Sequence, residues 1–135
     1  MTPNPIPAAS TLQPETTQPN GVALIAAERE RQISVEGWTA EHDDSRTKGE
    51  LARAAACYAH FAGEYSSDGT IWREIGNRGD ENDRMPGGWP FHPSWWKPSF
   101  THDHTARMRE LVKAGALIVA EIDRLQRAIA AEENT

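Results

Sequence analysis

A single cysteine, Cys57, among 135 residues excludes an internal disulfide, and its place in the Ala-rich run LARAAACYAHFA predicts a small buried side chain. A chain without disulfides is expected in a reducing compartment, here the cytoplasm. No apolar run approaches the roughly 18 residues of a membrane-spanning helix, and no basic start followed by an apolar stretch marks a secretory signal. Positive charge is in deficit as well, since 14 Lys and Arg face 20 Asp and Glu, for a formal charge of -6. That balance argues against non-specific coating of nucleic acid, which needs a basic surface to neutralise phosphates. A local cluster of Arg, Lys and indole groups can still hold one phosphate on an acidic protein.

Residues 1–20 contain five prolines and only Ile6 and Leu12 as sizeable apolar groups. Burial of so little surface does not offset the entropy of ordering the chain, so these residues are expected to form a disordered N-terminal tail. The remainder, 21–132, has the size of one domain. No internal repeat is visible.

Three periodic stretches predict an all-α fold, a small helical bundle of about three main helices. In GVALIAAERERQISVEGW, Val22, Ile25, Ala26, Arg29 and Ile33 share one side of a helix, and Gly37 supplies a stop before Trp38. The segment TAEHDDSRTKG reads as a loop. Thr47 and Glu50 have the spacing of a capping box, which starts a second helix near Lys48 and runs it to Gly63. Leu51, Ala54, Ala55, Tyr58 and Ala62 form its apolar side, and Ala52, Ala55, Ala56 and Ala59 offer a close approach to a neighbour. The third helix, Thr105 to Ala131, repeats Leu111, Ala114, Ile118, Ile122, Leu125 and Ile129 and spans roughly 40 Å. That exceeds the width of so small a domain, and a homodimer through the C-terminal helix follows as an expectation.

Between the second and third helices, 64–100 is a long Trp/Pro/Gly-rich loop holding four of the five tryptophans, Trp72, Trp89, Trp95 and Trp96. A loop so rich in aromatics is a packed cover or a binding surface. Trp38, Tyr58, Trp89, Trp95, Trp96, Arg46, Lys48 and Lys97 lie at helix ends and loops, where ring faces can stack on a planar base and cations can meet phosphate. Glu36, Glu41, His42, Asp43, Asp44 and Glu50 form an acidic and imidazole cluster, but HDD lacks the spacing of a helical metal-ligand pair and is simpler as a turn or cap. Likewise Asp103 between His102 and His104 reads as an N-cap. Cys57 has no neighbouring cation to activate it as a nucleophile, and no glycine-rich phosphate loop is present.

The segment AERERQISVEGWTAEHDDSRTKGEL resembles the opening of the RyR domain, through Glu28, Glu36, Gly37, Trp38, Thr39, Asp43 and Asp44. The blocks ERERQ, EGWTAEHDD, GELARAAACYA, WWKP and LVKAGALIVAEIDRL are also similar to small proteins of tailed phages and prophages. These resemblances imply a non-catalytic protein of the host cytoplasm that holds a nucleotide or nucleotide-derived molecule, with no cofactor. In such a site Trp38 and one of Trp89, Trp95 or Trp96 stack on the base. Arg46, Lys48 or Lys97 meets phosphate, and Asp43 or Asp44 receives ribose or base donors, with Thr39, His42 and Tyr58 beside them. A protein of this kind could sequester a host signalling nucleotide. A third resemblance, to MazG-like nucleoside triphosphate pyrophosphohydrolases, implies Mg²⁺ held by carboxylates. Glu50 and Glu121, however, are followed three residues on by Arg53 and Arg124 where that family has acids. The remaining set is Glu28, Glu50, Glu121 and Asp123. A third alternative is a tryptophan surface that grips a host protein.

Overall fold

The computed structural model describes residues 18–63, 88–99 and 103–134, so 1–17 of the tail expected at 1–20 and most of the expected loop, with Trp72, lie outside the described residues. Among those described, 72% are helical and none is in a strand, which bears out the all-α expectation. The described residues hold four α-helices: α1 (Gly21–Ser34), α2 (Ala40–Asp44), α3 (Glu50–Ala62) and α4 (His104–Glu133). A 3₁₀ turn, Pro93–Trp95, precedes α4.

Asn20 caps α1, its side chain accepting from Ala23 N–H at 3.0 Å. Past the last turn, Gly37 has φ of 79°, and Trp38 N–H donates to the Gln32 carbonyl at 2.9 Å. Glycine makes that left-handed reversal without a Cβ clash, as the sequence predicts. The buried face of α1 differs from the expectation. Arg29 and Gln32 are its buried residues, while Val22 and Ala26 are exposed and Ile25 and Ile33 half-buried. Polar groups take the inner face because Arg29 finds a carboxylate there. Its Nη2 lies 2.7 Å from Asp43 Oδ2, and its Nη1 donates to the Trp38 carbonyl at 3.4 Å.

Asp43 belongs to α2, a short helix where a loop is expected. Thr39 accepts from His42 N–H at 3.3 Å and so caps it. The Thr47 capping box is not formed. The N-cap of α3 is Gly49, with φ of 81°, and Glu50 reaches back to Lys48 N–H at 2.7 Å. Helix α3 does end at Gly63 and does form the buried centre, through Leu51, Ala54, Ala55, Cys57, Tyr58, Phe61 and Ala62. Of the small residues expected at a close approach, only Ala55 is buried, while Ala52, Ala56 and Ala59 face out.

Asp103 caps α4 as expected, accepting from Ala106 N–H at 2.8 Å. With 30 residues the helix is about 45 Å long. Its inner side is formed by Ala106, Glu110, Ala114, Leu117, Ala120 and Arg124. The stripe expected to be apolar core therefore contributes only Ala114. The small inner residues let α3 lie close, and α1, α2 and α3 all pack on α4. At Gly115 an added Cβ would fall 2.5 Å from Ile25 Cδ1, so this glycine is what seats α1 on α4.

Replacing Asp43 with Asn should strand the Arg29 charge in a buried setting and cost roughly 3 kcal/mol of stability, read as a fall in urea midpoint at unchanged slope. A loss below about 1 kcal/mol would show that water or another group compensates the guanidinium.

Candidate functional site

Between α1, α3, α4 and the 88–99 segment lies a cavity of about 540 Å³, within the range that holds a drug-sized ligand. Its walls include Glu28, Arg31, Gln32 and Glu36 from α1 and its exit, Tyr58 from α3, and Arg109, Lys113 and Leu117 from α4. Trp38, Trp95 and Lys97 complete it. Four cations against two carboxylates give this cavity a formal excess of two positive charges, on a chain whose net charge is -6.

The aromatic wall is built in layers. His42 stacks on Trp38 with ring centres 5.5 Å apart and planes at 10°. Its Nδ1 lies 2.9 Å from Asp43 Oδ1, which places the proton on that nitrogen. Trp95 lies 6.4 Å from Trp38 and remains 39% exposed. The Arg46 guanidinium lies 5.7 Å from the Trp95 ring and 5.0 Å from that of Phe91, supporting the cluster from outside the cavity.

The polar wall has two parts. Arg31 is held by carboxylates at both ends, with Nη2 at 2.9 Å from Glu28 and Nη1 at 2.9 Å from Glu36. The hydrogen bond to Glu28 is the main reason its guanidinium holds its proton more tightly than usual. Lys113 is a half-buried cation. Its Nζ donates to the Lys97 carbonyl at 2.6 Å, lies 5.3 Å from the Tyr58 ring centre and is 3.7 Å from Glu110 Oε1. Burial pushes its pKa down, and the Glu110 charge opposes that shift. Glu110, itself buried, also accepts from Ser99 N–H. Lys97 N–H in turn donates to the Tyr58 hydroxyl at 3.1 Å, so α3, α4 and the loop are tied at one point. At the rim, Arg109 Nη1 reaches Ser99 Oγ at 3.3 Å.

Of the expected ligand-binding set, Trp38, Tyr58, Trp95 and Lys97 line this cavity, and the others do not. Thr39 is a cap, and Asp43 is consumed by Arg29 and His42. Asp44 pairs with Arg127 at 2.8 Å. Lys48 is exposed and absent from the cavity wall, while its carbonyl accepts from Arg53 at 2.6 Å. Trp96 is core, 4.6 Å from Tyr58 and 5.5 Å from Phe61 between ring centres. Trp89 packs on Trp96 at 5.1 Å and spends its indole N–H on the His92 carbonyl at 3.1 Å. Sequence reasoning missed Arg31, Gln32, Arg109, Lys113 and Leu117. The signal available was the i, i+4 pair Arg109 and Lys113, which share a helix face.

The carboxylates Glu28, Glu50, Glu121 and Asp123 do not assemble. Among the described residues no group of three or more His, Cys, Asp or Glu is placed to hold a metal ion. Glu28 is bound to Arg31, and Glu121 to Arg124 at 2.8 Å. Comparison with family models, with curated proteins and with solved structures finds no match to the chain. Among the described residues no helix is long and apolar enough to cross a membrane.

Burial pushes the Tyr58 phenol up to about 12, against the lowering effect of the Lys97 N–H bond. The unfolded phenol titrates near 10, so the proton is held more tightly in the folded state. The stabilisation is fully present below about pH 10 and is lost as pH rises toward 12. Absorbance at 295 nm should show one tyrosine that ionises only with alkaline unfolding, and Tyr58→Phe should remove that step. Ionisation near pH 10 with the helical signal intact would show the ring to be accessible.

Proposed function

We propose that this protein binds, without chemistry, a small molecule that joins a planar ring to an anionic group, the class to which nucleotides belong. The observation that carries the proposal is the convergence of Trp38, Tyr58 and Trp95 with an excess of cations in one cavity of about 540 Å³. Aromatic faces take a planar ring, and the 39% exposure of Trp95 leaves indole surface for it. The anion meets Lys97 and Arg109 at the rim, with Lys113 beneath them adding its field at low dielectric cost. Arg31 is occupied by Glu28 and Glu36, so it shapes the cavity rather than offering a free charge.

Binding without turnover suits a carrier or a sequestering protein, and the EGWT turn that resembles the RyR domain supplies Glu36 and Trp38 to this cavity. The pyrophosphohydrolase alternative lacks a supporting observation, because two of its four carboxylates are neutralised by arginines.

Thermal shift and tryptophan fluorescence against mono-, di-, tri- and cyclic nucleotides, with and without Mg²⁺, test the proposal. A saturable shift independent of Mg²⁺ is the expected result. Trp38→Ala and Trp95→Ala should each abolish it while helical circular dichroism persists, and Lys97→Gln and Arg109→Gln should each weaken binding about tenfold. Silence across the panel would overturn the assignment. A shift that requires Mg²⁺ and decays with time would replace it with turnover.

A further inference from the structure

Among the described residues, six of the nine exposed large apolar side chains lie on α4. Met108, Leu111, Ile118, Ile122, Leu125 and Ile129 each retain between 45% and 53% of their exposure. Steps of three and four connect them through Gly115. Met108, Gly115, Ile122 and Ile129 thus occupy one heptad position, and Leu111, Ile118 and Leu125 the position three residues later. At about 100° per residue, this seam falls nearly opposite the row Ala106, Glu110, Leu117, Ala120 and Arg124 that faces the core. Apart from Gly115, which Ile25 of α1 covers, it contributes little to the chain's own interior. Ile25 of α1 closes over Gly115, and Val22, one turn away on α1, is 79% exposed, extending apolar surface beside the gap.

We infer that this seam is the interface of a homodimer in which α4 packs against α4 of a second copy. Six half-exposed side chains amount to on the order of 500 Å² per protomer and about 1,000 Å² per pair, which reaches the size of a specific interface. Over its last two turns the seam alternates β-branched Ile122 and Ile129 with Leu125, the arrangement that favours two strands in a parallel pair, whereas Met108, Gly115 and Ile118 depart from it. The flanks also permit closure. Val119, Gln126 and Ala128 carry no charge. Glu121 is paired with Arg124, and Arg127 with Asp44, each at 2.8 Å, and Arg107 donates to the Ala62 carbonyl, so these charges near the seam are already engaged; the seam ends at Glu132, at the exposed end of the helix.

Sedimentation equilibrium of the whole chain tests this directly. A mass twice the 15.0 kDa of the chain is expected at micromolar concentration. Ile122→Glu with Leu125→Glu should raise the dissociation constant at least roughly 100-fold and retain helical circular dichroism, since neither side chain lies in the core. Should that pair unfold the protein, Ile118→Gln with Ile129→Gln gives the same readout more mildly. A wild-type mass of 15.0 kDa up to about 100 µM overturns the inference, including where another protein then protects the seam. A dimer that survives both double substitutions overturns it too.

Discussion

The ion pair between Arg29 and Asp43 governs where the aromatic wall stands. Both groups are removed from water, at a desolvation cost that a surface pair would avoid, so the pair supplies geometry more than net stability. One guanidinium binds the α2 carboxylate and the Trp38 carbonyl, and the same carboxylate orients His42 against the Trp38 ring. Three side chains from two helices thereby fix the plane of one indole. Trp38 could not keep that plane on a free turn after Gly37.

The electrostatics of the cavity run against those of the chain. An acidic protein repels anions at long range, but within about 10 Å the nearest charges dominate because salt screens the rest. The cavity sets Lys97 and Arg109 at its rim, while its other charges are engaged internally. Glu28 and Glu36 saturate Arg31, and Lys113 donates to the Lys97 carbonyl and lies 3.7 Å from Glu110. The arrangement distinguishes a cation available to a guest from one spent on internal structure.

Much of the fold was legible in the sequence. Helix-stopping Gly37 and Gly63, the Asp103 cap and the period of α3 are local features, and local rules place them well. Misreadings arose where tertiary partners overrode local preference. On α1 the buried positions are Gln32 and Arg29, the latter paired with Asp43, rather than Val22 and Ala26, and on α4 Glu110, which accepts from Ser99 N–H, is buried where Leu111 is not. The isoleucines of α4 carry a clear period, yet hydrophobic spacing states that a face wants cover, not whose. For the site, aromatic content pointed to Trp38, Tyr58 and Trp95. It could not separate them from Trp89 and Trp96, which pack on each other and on Tyr58 without lining the cavity. Lys113 escaped because its proximity to Tyr58 spans more than fifty residues of sequence.

The shared dependence of α1, α2 and α3 on α4 bears on how the chain comes to be folded at all. The first three helices are short, and short helices are marginal in water without a packing partner. Their common partner is the last of the four to leave the ribosome. Until it emerges, Tyr58 and Phe61 have only Trp96 to rest on, and the core lacks the Ala114, Leu117 and Ala120 side of α4. Folding is thus gathered into a late event, in which closing the long separation from α1 to α4 sets the pace and the cavity is completed with the core rather than before it.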